Sequence, residues 1–245
     1  MSVSLVFATT LRVLTQVRHD RRTIALVLTV PSLLLALLRY IFDDRLDIFD
    51  QIGLMLLGIF PFTSMFLITS VAMLRERVSG TLERLLSTPL HKLDLLFGYA
   101  IAFAVLAAVQ AGIACAVAYG LLDLRTQGNI ATVLLIAVST AILGCCTGLL
   151  TSAFARTEFQ ALQFMPAIVF PQILLCGLIW PRDEMSTVLQ IASDVMPLRY
   201  AAEAMSEVGT FPLPTTRLWL DLLVIAVFAV STLFAGAATL RRQSN

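Results

Sequence analysis

The sequence predicts an all-α polytopic membrane protein. It should have six transmembrane helices, an N-terminal interfacial helix, a short cytoplasmic helix between spans two and three, and an external re-entrant helical hairpin before the last span. Three observations predict this. Only 13% of the 245 residues are charged and 58% are hydrophobic, against about 25% charged in soluble domains. The charges sit in short clusters, and uncharged stretches of about 20 residues separate them, enough at ~1.5 Å per residue to cross a hydrocarbon core of roughly 30 Å. Those stretches are rich in Leu, Ala, Val and Ile and lack the short alternating segments of a membrane barrel.

Residues 1–22 come first. Phe7, Leu11, Leu14 and Val17 recur at helical spacing while Arg12, Gln16 and His19 fall elsewhere. This pattern predicts a helix lying in the membrane interface, with a frayed basic tail as the alternative. Arg12 and Arg18 interrupt the apolar run and no small-residue cleavage site follows, unlike a secretory signal. Six spans then read as Thr23–Phe42, Gln51–Leu74, Leu95–Leu121, Ile130–Ala155, Phe159–Pro181 and Leu218–Leu240. The whole chain, 1–245, reads as a single transmembrane domain.

Orientation follows from the basic residues. Eleven lie on one side, namely Arg12, Arg18, Arg21, Arg22, Arg75, Arg77, Arg84, Lys92, Arg156, Arg241 and Arg242, against six on the other, Arg39, Arg45, Arg125, Arg182, Arg199 and Arg217. The first side is expected to be cytoplasmic, with both termini on it. Net charge of +1 gives no indication of a nucleic-acid partner. Cys115, Cys145, Cys146 and Cys176 all fall inside spans at spacings unlike a metal site and read as small apolar residues. His19 and His91 stand alone on the cytoplasmic side.

Two loops are long. In the cytoplasmic one, 75–94, Arg75-Glu76-Arg77 ends span two and Ser79-Gly80 permits a turn. Thr81 to Ser87 fits a short amphipathic helix with Leu82, Leu85 and Leu86 on one face and Glu83 and Arg84 on another, ended by Pro89. It is either a surface for a partner or an ordinary connector. In the external segment, 182–217, Met185, Val188, Leu189, Ala192, Val195 and Met196 keep helical spacing and Pro197 breaks it. Leu198 to Glu207 then fits a second helix, with Asp183, Glu184, Arg199, Glu203 and Glu207 expected to keep the remaining faces wet. These two helices either dip into the outer leaflet or merely cover the bundle.

The spans carry hydroxyls and amides at Thr63, Ser64, Thr69, Ser70, Gln110, Gln160, Gln163 and Gln172 and almost no charge. They are candidates for a substrate path, or else they satisfy backbone carbonyls and pack helices. Scarce intramembrane acids and the lack of an inverted repeat argue against an ion-coupled transporter. Arg39 has Asp43 four residues on, and Arg217 has Asp221, so each has a local partner within reach. Pro61, Pro166 and Pro171 interrupt spans two and five, where they either open carbonyls toward a cavity or set a static curvature.

The cytoplasmic loop resembles that of ABC-2-type ABC exporter permeases. The resemblance rests on Arg75-Glu76-Arg77, on Gly80-Thr81-Leu82-Glu83-Arg84-Leu85-Leu86 and on Thr88-Pro89-Leu90, and again on Met196-Pro197-Leu198-Arg199-Tyr200-Ala201 before the last span. Val78-Ser79 stands between the charged triad and Gly80, where many members run on more directly. The resemblance, particularly to the daunorubicin and antibiotic-resistance permease group, implies a permease subunit of an ATP-driven exporter moving a hydrophobic or amphiphilic substrate. It implies a cytoplasmic ABC ATPase and a second permease protomer, identical or not, as partners, beside the membrane lipids. It makes Arg75, Glu76, Arg77, Gly80, Thr81, Leu82, Glu83, Arg84, Leu85, Leu86 and Pro89 the ATPase-coupling residues. Drug or antibiotic efflux leads, with lipid, glycolipid or haem export as alternatives and a secondary transporter or assembly subunit behind them. With one lysine in the chain and no Gly-x-x-x-x-Gly-Lys-Ser/Thr loop, ATP and magnesium are expected on the partner ATPase. The chain is not expected to be an enzyme. One lysine against sixteen arginines points to a GC-rich bacterial genome, hence a bacterial plasma membrane.

Overall fold

The computed structural model describes residues 3–81 and 92–239. Every regular element among them is helical: α1 Val3–His19, α2 Arg21–Ile41, α3 Leu46–Val78, α4 Lys92–Gly120, α5 Ile130–Ser152, α6 Glu158–Leu175, α7 Thr187–Asp194, α8 Pro197–Thr210 and α9 Thr216–Thr239, with a 3-10 turn at Arg182–Glu184. Five of them, α2, α3, α4, α5 and α9, are long and apolar enough to cross a membrane. The chain is therefore a multi-pass membrane protein. The expected fifth span corresponds to α6, an 18-residue helix carrying three glutamines and two prolines. It falls short of the other five in apolar length, though at ~1.5 Å per residue it extends about 27 Å.

α3 and α5 form the centre. They share the most extensive contact, and α3 also meets α2, α4, α6 and α8, while α4 and α9 flank α5. The two backbones approach closely because α5 has glycine where they cross. A Cβ on Gly144 would lie 2.3 Å from the Phe62 carbonyl oxygen, so no larger residue fits without separating the helices. Phe62, Met65, Phe66, Phe103, Cys145 and Leu149 fill one half of the core. Phe49, Leu54, Leu57, Ile136 and Met205 fill the other. α2 and α9 lie outside, and Leu26, Leu33, Leu37, Trp219, Leu223 and Val227 point outward from them, as lipid-facing residues must.

α3 has 33 residues, about 50 Å at ~1.5 Å each, so it overruns the hydrocarbon core at one or both ends. The helix continues through Arg75-Glu76-Arg77 and stops at Ser79, where Gly80 takes a φ of +71°. That conformation suits glycine and ends the helix. Pro61, Pro166 and Pro171 all lie inside continuous helices. The expected helix over Thr81–Ser87 lies, but for Thr81, outside the described residues, as does His91.

At the other end, α7 and α8 form the expected pair of short helices, and Pro197 occupies the first turn of α8. α8 enters the bundle: Ala201 and Met205 lie against Gly58 of α3, and the Gly128 amide donates to the Val208 carbonyl at 2.9 Å. Arg39 pairs with Asp43 at 2.8 Å, as its spacing predicted.

Candidate functional site: two polar ends of the bundle

The charged end of α3 is tied to four other helices. Its first partner is α1, which packs on α4 through Val6, Thr9, Thr10 and Val13, with the Thr10 hydroxyl donating to the Gly98 carbonyl at 3.2 Å. The stripe of Phe7 and Leu11 faces outward, while Leu14 and Val17 lie half-buried against the core. This arrangement aims Arg12 at the end of α3. Its guanidinium donates to Glu76 Oε1 at 2.9 Å and to the Tyr99 hydroxyl at 3.1 Å, with the Tyr99 ring 5.8 Å away. Glu76 is 5% exposed. The sequence reading offered Glu76 as a surface contact. It is turned inward because Arg12, 64 residues away in sequence, neutralises it.

Arg75 and Arg77 leave the same turn in other directions. Arg75 holds Glu158, at the start of α6, through two hydrogen bonds of 2.7 and 3.1 Å. This bidentate pair holds the Glu158 carboxyl below its ordinary pKa. Arg77 donates to the carbonyl of Ser152 at the end of α5. One helical turn thus joins α1, α4, α5 and α6 to α3. Between these ties lies a cleft of about 780 Å³ lined by Arg12, Gln16, Arg75, Thr81, Arg156 and Glu158. Of the motif that follows, Thr81 lines the cleft and Gly80 makes the turn before it. Leu82, Glu83, Arg84, Leu85, Leu86 and Pro89 lie outside the described residues.

The opposite end carries a second network. Asp194, closing α7, accepts from Arg182 and Arg199. Arg199 also binds Glu203 at 2.9 Å, and Glu203 accepts from Arg217 of α9 at 3.1 Å. Thr215 donates to Glu207, and the Tyr200 hydroxyl to the Asp194 carbonyl at 2.8 Å. Burial opposes the charge on Glu203, but hydrogen bonds from Arg199 and Arg217 prevail and its pKa is lowered. Two expectations are corrected here. Arg199, Glu203 and Glu207 are largely buried rather than wet, because α8 is drawn into the bundle. Arg217 pairs with Glu203 and Glu207, not Asp221, whose Oδ2 is buried without a hydrogen-bond partner.

The candidate path residues are dispersed. Ser70 donates to Phe66 and Gly148 carbonyls at 2.6 and 3.2 Å, and Gln110 donates to Ser64 at 2.9 Å. Gln172 receives the Leu198 amide at 3.3 Å and so ties α6 to α8. Thr69 is buried, and Thr63 returns its hydroxyl to the Ile59 carbonyl at 3.0 Å. Gln163 is exposed on α6 and Gln160 half-buried, the latter accepting from the Arg156 amide at 2.9 Å. No group of three or more His, Cys, Asp or Glu side chains with metal-ligand geometry occurs among the described residues. The inward turn of Glu76 and the Arg199 network are what sequence reasoning missed. The charges were visible, but the pairs span 64 residues in one case and three helices in the other.

The model of the ABC-2 type transporter family matches residues 4–208. ABC transporter G family member 20 of Dictyostelium discoideum is 27% identical over 180 residues, covering 73% of this chain and 25% of that protein. The probable multidrug ABC transporter permease YbhR of Escherichia coli strain K12 is 27% identical over 177 residues, 72% of this chain and 48% of its own length. The linearmycin resistance permease protein LnrN of Bacillus subtilis strain 168 is 26% identical over 168 residues, 69% and 43%. The chain thus aligns with between a quarter and about half of the length of these curated relatives.

Proposed function

This chain belongs to the ABC-2 type transporter membrane family, and on that premise we propose that it is the permease subunit of an ATP-driven exporter. It works with a separate cytoplasmic ATPase, which binds ATP and magnesium, and with a second permease protomer in a bacterial plasma membrane. The carrying observation is the junction at the end of α3. Arg12–Glu76–Tyr99, Arg75–Glu158 and Arg77–Ser152 fasten five helices at one level, next to the chain segment bearing the Gly80-to-Pro89 motif. A push delivered there is shared by α1, α3, α4, α5 and α6 instead of bending one loop. Exposed charge pairs contribute only about 0.2–1 kcal/mol each, so docking of the ATPase rests more on Leu82, Leu85 and Leu86 than on Glu83 and Arg84. This end, and both termini, face the cytoplasm in this reading, which the excess of arginine on that side supports.

The cargo is a hydrophobic or amphiphilic compound, with a drug or antibiotic favoured by the multidrug and linearmycin resistance names of two relatives. Its route lies between two protomers. Exposed Gln163 and half-buried Thr63 suit such a path better than Ser70, Gln172 and the Gln110–Ser64 pair, whose hydrogen bonds hold helices together. The test is co-purification from native membranes in a gentle detergent. A stoichiometric soluble subunit that hydrolyses ATP is expected, with Leu85→Ala retaining assembly but uncoupling hydrolysis from export. A preparation with no associated ATPase would overturn the reading.

A further inference from the structure

A second cavity lies where α1 turns into α2. Asp20 caps the first turn of α2, accepting from the Thr23 amide at 3.2 Å and its hydroxyl at 2.6 Å. Beside the capped elbow lies a groove of about 240 Å³. Its walls are Val17 of α1, Ile68 and Val71 of α3, Phe103 of α4 and Leu162 of α6, and its polar mouth is Gln16, Asp20, Thr23 and Arg75. At this volume it is smaller than the roughly 300–1,000 Å³ of sites that enclose drug-sized molecules. It suits a slender hydrocarbon segment, and Leu162, which is exposed on α6, leaves it open to the bilayer.

The elbow beside the groove has an unbalanced charge. Arg18, Arg21 and Arg22 flank the elbow and are exposed, and none of them makes an ion pair with an acid among the described residues. The acids facing the mouth are Asp20, engaged by Thr23, and Glu158, engaged by Arg75. Three arginines beside a membrane-spanning helix attract anionic headgroups at the bilayer surface. An apolar slot with three exposed arginines at the elbow beside it matches the two halves of one molecule.

We propose that the α1–α2 elbow is a binding site for one anionic phospholipid, whose phosphate sits on Arg18, Arg21 and Arg22 and whose acyl chain enters the Val17–Ile68–Val71–Phe103 groove. The lipid fills the space between α1 and the bundle and fixes the angle at which α1 lies. The proposal needs only that the chain is embedded in a membrane, and so stands apart from any export activity.

The test is native mass spectrometry of the full chain, delipidated in detergent and titrated with phosphatidylglycerol or phosphatidylcholine. Phosphatidylglycerol is expected to bind one per chain and at least tenfold more tightly. Replacing the three exposed arginines, Arg18→Gln, Arg21→Gln and Arg22→Gln together, should erase that preference, since each contributes roughly fivefold at a membrane surface. Val71→Phe, filling the groove, should weaken binding even with the arginines intact, while circular dichroism shows both variants folded. Equal binding of the two lipids, or an unchanged preference in the arginine variant, would overturn the proposal. So would displacement of the lipid by millimolar inorganic phosphate, which would assign the rim to a free anion.

Discussion

The Arg12–Glu76 pair tests whether the end of α3 is a mechanical junction. Arg12→Leu leaves a carboxylate that is 5% exposed without its cation. Removing one partner of a fully buried pair costs about 3–5 kcal/mol. Arg12 is 33% exposed, so water takes over part of its role, and a loss of about 2–3 kcal/mol is expected after that discount. Glu76→Gln keeps an acceptor for Arg12 and removes the buried charge, for about 1 kcal/mol. In the double variant no unpaired carboxylate remains, so its cost should fall below the sum by roughly 1–2 kcal/mol, within the range for side chains in contact. The assay is reversible unfolding of the four proteins in mixed detergent micelles, followed by circular dichroism. Additivity to within about 0.5 kcal/mol would mean that the two side chains are not energetically coupled and that the pair does not hold the junction together.

Three further outcomes follow from the geometry. Gly144→Val drives a side chain into the Phe62 backbone, 2.3 Å from the position of its Cβ, and should cost at least about 1–3 kcal/mol by overpacking, read as a fall in melting temperature in detergent. Glu203 has a depressed pKa in the folded protein, so its stabilisation is present above the ordinary carboxylate range near ~4.3 and is lost as pH falls through the folded value. Arg217→Gln should flatten that acid limb, which a stability profile from pH 7 to acid will show. Asp20→Ala removes the cap of α2 and should lower the melting temperature in detergent; because it also relaxes the elbow, limited proteolysis near Arg21 should speed up.

Length and composition alone made the fold class legible. A stretch such as Ile130–Ser152 has no charged residue, and in a hydrocarbon solvent the backbone must then satisfy itself as a helix. The turn at Gly80 and the break at Pro197 were legible for the same local reason: each residue restricts its own backbone. α6 was harder, since three glutamines and two prolines dilute its hydropathy while its buried Gln172 is satisfied by a partner 26 residues away. The polar site was only half legible. Charges at Arg75, Glu76 and Arg77 marked an end of a span, yet a row of three residues on a helix faces three directions.

The sequence by itself determined that this chain lives in a bilayer, which of the described segments form its long helices and which end of the bundle is basic. These follow from local composition, because transfer of each segment into hydrocarbon depends on its own residues. Only the tertiary structure decided which charges are inside. Arg199 and Glu203 read as a wet helix face until α8 packs against Gly58 and brings Arg217 of α9 to Glu203. Glu76 reads as a surface acid until α1 delivers Arg12. Burial of an ion depends on a counter-ion arriving from elsewhere in the chain, and the meeting of distant residues is the property that helical periodicity does not encode.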